Sequence, residues 1–121
     1  MNNNLPVIDI SEALNRAMGD VDFLQMMLDE FQHTIPDFLS RIKQALQFDD
    51  MDSLAKDAHQ FKGTAANLGA KIIAAVALKL EHIGKTGNSE NGESAYAELQ
   101  EAVATFNHHL AQIEWSTINA G

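Results

Sequence analysis

The chain has no cysteine, which removes disulfide scaffolds, zinc-ribbon sites and thiol nucleophiles together and suits a reducing compartment. Proline occurs only twice, and Thr, Val and Tyr are sparse, against an all-β chain. Long apolar runs are missing as well. The longest, Ile72 to Leu78, is far too short to span a bilayer. The opening MNNNLPV carries neither a basic stretch nor an apolar core, so no secretory signal is read there. What is present is 121 residues, 45% hydrophobic and 21% charged. That suffices for one core and argues against general disorder. A single domain over 1–121 is expected, packed from about 8 to 115, with flexible tails at 1–7 and 117–121, in the cytoplasm.

The net charge of −9 is unevenly spread. Residues 41–85 hold seven of the eight cations (Arg41, Lys43, Lys56, Lys62, Lys71, Lys79, Lys85) against five acids, a local excess of +2. The flanks hold Arg16 against twelve acids. A chain this acidic is a poor nucleic-acid binder. Its basic middle can face one acidic partner or one phosphate.

Apolar residues recur at helical spacing throughout. Asp9 with Glu12 marks a first short helix, with Leu14, Ala17 and Met18 as its apolar face and Gly19 as its stop. Asp20 caps a second helix whose stripe runs Leu24, Met27, Leu28, Phe31, Ile35, Phe38, Ile42 and Leu46. Pro36 lies within it, predicting a kink or short break. Asp49 and Asp50 open a third helix, with Met51, Leu54, Ala58, Phe61, Ala65 and Leu68 spaced alternately three and four, and Gly69 ends it. A fourth helix is read over about Lys71 to Lys85. The polar, Gly-rich stretch Thr86 to Ser94 reads as a loop. A fifth helix carries Tyr96, Leu99, Val103, Phe106, Leu110 and Ile113. The expected fold is all-α: an antiparallel up-down four-helix bundle with the short N-terminal helix capping one end.

On the third helix His59 falls about 130° from the apolar stripe, facing solvent. Lys62 is one turn away, and Gly63 and Ala66 surround the histidine with minimal side chains. Gly63 costs about 1 kcal/mol in a helix interior relative to Ala, and nothing local requires a bend. An uncompensated glycine beside an exposed histidine suits close approach of another body to the backbone. If the chain reverses near Gly69, a rise of about 1.5 Å per residue puts His59 and Glu81 at similar heights on antiparallel helices. Glu81 can then accept Nδ1–H of His59 and leave Nε2 outward as a nucleophile.

The segment His59-Gln60-Phe61-Lys62-Gly63-Thr64-Ala65-Ala66-Asn67-Leu68-Gly69-Ala70 resembles the H-x-L-K-G-(S/A)-A-x-N-L-G-A stretch of histidine-containing phosphotransfer (HPt) domains of bacterial phosphorelays. The likeness extends through Ile8-Asp9, Gly19-Asp20, Phe31, Pro36, Asp49-Asp50 and Leu80-Glu81, over about residues 8–113. Phe61 departs from the commoner Leu, on the core stripe. The resemblance implies a phosphorelay intermediate without kinase activity of its own. Nε2 of His59 would take a phosphoryl group from an aspartyl phosphate of a response-regulator receiver domain and pass it to another. Lys62 would stabilise phosphoryl charge, Glu81 would orient Nδ1, and Lys56, Gly63 and Ala66 would meet the receiver. The Mg²⁺ would be the receiver's, with no cofactor or metal held by this chain. The Pro6-Val7-Ile8-Asp9 entry into the first helix resembles the C-terminal modules of hybrid sensor kinases. The chain is then expected as a monomeric module, in some cases the cytoplasmic part of a membrane-bound kinase, without nucleic-acid or membrane contact of its own.

Rival readings are weaker. Glu30 and His33 form one Glu-x-x-His, which di-iron bundles use twice with two further inward Glu residues; both sit off the Phe31 stripe. His108 and His109 point about 100° apart and read as surface. His82 has no assigned role. The dimerisation helices of a histidine kinase would carry an acid or Asn directly after the histidine, which Gln60 does not supply. A helical docking module without phosphoryl chemistry is the alternative function.

Overall fold

The computed structural model describes residues 5–118. The tails expected at 1–7 and 117–121 therefore lie partly outside the described residues; within them Val7 packs against the core and Trp115–Thr117 forms a 3₁₀ turn. Five α-helices follow in order: α1 Ile10–Arg16, α2 Val21–Gln47, α3 Met51–Asn67, α4 Lys71–Thr86 and α5 Gly92–Ala111. No strand occurs among the described residues. Helices α2 to α5 form a closed ring of neighbours, each packed on the next and α5 back on α2. This is the up-down arrangement that short connections favour.

The helix starts follow from side-chain capping. Asp9, Asp20 and Asp50 each accept a hydrogen bond from the backbone N–H three residues on, at 3.0, 3.0 and 3.1 Å, satisfying an N–H that the first turn leaves unpaired. The apolar stripes turn inward as their spacing predicts. Leu24, Leu28, Phe31, Ile35, Phe38 and Ile42 of α2, Leu54, Ala58, Phe61 and Ala65 of α3, and Leu99, Val103, Phe106 and Leu110 of α5 are all buried. Phe61 is the centre of an aromatic cluster, stacked on Phe38 at 4.7 Å and tilted against Phe31 at 5.8 Å. Phe106 meets Phe31 edge-on at 5.5 Å. The phenyl ring at position 61 therefore serves the core.

Helix α1 does cap one end of the bundle, over the α3–α4 turn. Asp9 N–H donates to the Gly69 carbonyl at 2.8 Å, and Lys71 pairs with Glu12 at 2.7 Å. Gly69 has φ +76°, and a Cβ there would fall 2.6 Å from the Asp9 carbonyl oxygen; the turn admits only glycine for both reasons.

Three local expectations are corrected. Met18 is not on the apolar face of α1: the helix ends at Arg16, Met18 takes φ +59°, and its side chain is 94% exposed. Pro36 does not break α2, which runs unbroken through it, 27 residues in all. Pro36 lies on the exposed face, where water can serve the carbonyl that its missing N–H leaves unpaired. The stretch Thr86 to Ser94 is not all loop. Ser89–Asn91 is a 3₁₀ turn and α5 already begins at Gly92, buried against Leu46; this packing overrides a loop-like composition.

Candidate functional site

The seam between α3 and α4 carries the site. Both helices run from the Gly69 turn, so residues equally distant from it face each other. The seam is tight because Gly84 admits it: a Cβ on Gly84 would lie 2.5 Å from the Ala55 amide nitrogen and 2.7 Å from its Cα. That close contact is one turn from both Glu81 on α4 and His59 on α3.

Glu81 is 2% exposed, the only charged side chain buried among the described residues. A carboxylate taken from water needs several donors to remain ionised, and Glu81 has three. Lys62 Nζ donates to Oε1 at 2.8 Å. His59 Nδ1 lies 2.8 Å from Oε2, and Lys85 Nζ pairs with the same oxygen at 2.9 Å. The donated hydrogen bonds of Lys62 and Lys85 outweigh desolvation and, with that of His59, hold the Glu81 carboxyl well below the usual range, at about 2. Glu81 is therefore an anion at every physiological pH, and its contact with Nδ1 places the imidazole proton there. Nε2 is left facing outward on a side chain 65% exposed.

The sequence-derived candidates divide accordingly. His59, Lys62 and Glu81 are brought together. The Lys62 ammonium rests on Glu81 rather than standing free over the imidazole. Lys56 and Gly63 are exposed on the same face of α3 as His59. A Cβ on Gly63 would meet nothing within 4 Å, so no internal packing requires glycine there. Ala66 is half-buried, and its carbonyl accepts from Arg16 of α1 at 2.6 Å, which ties the capping helix to this face. Two contributors escaped the sequence reading. Lys85 was detectable as the i+4 partner of Glu81 on α4. Gly84 carried no local signal, since its neighbour comes from another helix.

Among the described residues no group of three or more His, Cys, Asp and Glu side chains is placed to hold a metal ion, and no helix is long and apolar enough to cross a membrane. Glu30 and His33 are exposed, and the imidazole of His33 engages the Asp29 carbonyl of its own helix at 2.7 Å.

A bundle with an outward imidazole seated on a buried carboxylate and flanked by lysines defines a class, and comparison with known proteins agrees. The Hpt domain family model matches residues 26–110. The chain belongs to the Hpt domain family. It is similar to the phosphorelay intermediate protein rdeA of Dictyostelium discoideum, with 25% identity over 85 residues. That match covers 70% of this chain and 34% of the relative, so the chain spans about a third of that protein's length. The fold is similar to that of the histidine-containing phosphotransfer protein HptB from Pseudomonas aeruginosa PAO1, with TM-score 0.82 and 24% identity over 94% of this chain and 98% of that one.

Proposed function

We propose that the chain is a phosphorelay intermediate in which His59 receives a phosphoryl group from an aspartyl phosphate of a receiver domain and yields it to another receiver. The observation that carries this reading is His59 itself, with Nδ1 on the buried Glu81 and Nε2 directed to solvent. The lone pair of Nε2 attacks phosphorus while the bond from phosphorus to the aspartyl oxygen breaks, and that oxygen leaves with the electron pair as a carboxylate. No proton has to move. The ring becomes an imidazolium carrying the phosphoryl group on Nε2 and its original proton on Nδ1, and Glu81 is already in place to balance that charge. The reverse step, on a second receiver, restores the neutral ring.

Phosphoryl transfer asks a protein chiefly for positioning and countercharge. Glu81 supplies the first. Lys62, one turn from His59, supplies the second by turning its ammonium from Oε1 toward the phosphoryl oxygens. The exposed Gly63 and the small Ala66, with Lys56 at the rim, leave room and positive charge for a receiver's acidic pocket, whose Mg²⁺ belongs to the receiver. The chain has no kinase activity in this reading, acts as a monomeric cytoplasmic module, and is a candidate C-terminal domain of a hybrid sensor kinase. The test is to add a receiver domain carrying labelled aspartyl phosphate, with Mg²⁺. Label moves to this chain and not to His59→Gln. Unlabelled wild-type chain that still binds the receiver would instead make it a docking module.

A further inference from the structure

Lys85 lies outside the histidine motif and on the other helix, yet its ammonium ends on the oxygen that holds the imidazole. Oε2 of Glu81 takes both His59 Nδ1 at 2.8 Å and Lys85 Nζ at 2.9 Å, while Oε1 takes Lys62. We propose that Lys85 is a positioning residue for the His59 nucleophile, fixing Oε2 beside Nδ1 and supplying the second positive charge that keeps the imidazole neutral next to a buried carboxylate. The inference rests on His59 being the phosphoacceptor.

A carboxylate alone beside a histidine favours the imidazolium, whose Nε2 bears a proton and has no lone pair to attack phosphorus. With one lysine, the carboxylate and its cation cancel. With two, the cluster already holds a net positive charge, and protonating the ring would add a third cation to one anion. From α3 the groups facing Glu81 are His59 and Lys62, and from α4 Lys85. No Lys, Arg or His of α1, α2 or α5 lies within 4.0 Å of the carboxylate among the described residues. Lys62 cannot serve both states. Once its ammonium turns to a phosphoryl group on Nε2, Lys85 is the cation that remains on Glu81. The hydrogen bond from Lys85 is second only to that from Lys62 among the causes that depress the Glu81 carboxyl.

An ordinary i,i+4 surface pair predicts only a small loss of stability when Lys85 is replaced. The positioning role predicts more. Lys85→Met, with Lys85→Gln as a second neutral variant, keeps the bundle by circular dichroism. The titration midpoint of the His59 ring, followed by NMR, should rise by about half to one pH unit, the size expected for removing one partly solvated charge nearby. The acid limb of the transfer rate from a phosphorylated receiver should move by the same amount, a loss of about three- to ten-fold below the midpoint that shrinks as pH rises. Lys85→Arg should restore both. A midpoint and pH profile unchanged in both neutral variants would overturn the proposal. The NMR titration needs no phosphotransfer. A wild-type chain that takes no label, with the midpoint shift present, would overturn the phosphoacceptor reading and leave the electrostatic role of Lys85 standing.

Discussion

Gly84 of α4 presses on the backbone of Ala55 of α3, with room for a hydrogen and none for a methyl group: the nearest atoms to an added Cβ are Ala55 N, Cα and Cβ at 2.5, 2.7 and 2.8 Å. Backbone cannot swing aside as a side-chain end can, so Gly84→Ala has to part the two helices. We expect a loss of about 1–3 kcal/mol, seen as a melting temperature lower by roughly 4–10 °C. Slower phosphotransfer should accompany it, because Glu81 one turn away is drawn from under His59. A variant as stable as wild type would show that the seam has slack.

Gly63 predicts the opposite sign. Its added methyl would project into open space, and alanine is the better helix former by up to about 1 kcal/mol. Gly63→Ala should raise the melting temperature slightly. Gly63→Leu should keep the helical circular dichroism yet greatly slow labelling by a receiver, and a small donor such as phosphoramidate should be far less affected. Equal transfer by Gly63→Leu and wild type would move the docking face elsewhere on α3.

Acid should reveal Glu81. Its carboxyl, depressed to about 2 from the ordinary 4.5 of an exposed glutamate, binds protons more weakly in the folded chain than in the unfolded one. Its contribution is therefore fully present above pH 4.5 and is lost as pH falls toward 2. Between pH 5 and 3 the wild type should lose about 2 kcal/mol more stability than Glu81→Gln, compared by urea unfolding. Parallel losses in the two proteins would mean that the carboxylate carries no net stabilisation.

Lys62 should matter for rate more than for fold. Lys62→Ala leaves Glu81 with His59 and Lys85, and the core untouched. Transfer should slow by about one to two decades, or about 1–3 kcal/mol of lost charge stabilisation, with helical content unchanged. A rate equal to wild type would assign all the countercharge to the receiver.

The α3 stripe Leu54, Ala58, Phe61 and Ala65 was legible in the sequence because helical spacing alone decides which side chains can share a face. The His59–Glu81 pairing was legible for a related reason: helical rise counted from the Gly69 turn measures height on both arms of a hairpin. What spacing does not contain is the distance between helices, and Gly84 is informative only through that distance. Lys85 escaped because a long side chain can end on several atoms, and sequence does not say that a buried oxygen already committed to His59 would take it. Met18, Pro36 and Gly92 misled through local propensity. Early termination of α1, an exposed outer face of α2 and the contact with Leu46 decided them instead.

One nitrogen atom of His59 decides whether this chain relays phosphoryl groups as proposed. Phosphorylate the chain, labelled with ¹⁵N in its histidine rings, from a receiver donor, and record which ring nitrogen couples to phosphorus. Coupling to Nε2 of His59 alone is expected, with the proton retained on Nδ1 toward Glu81 and a phosphoryl group labile to acid. Coupling to Nδ1, to another histidine, or an acid-stable phosphoester would contradict it.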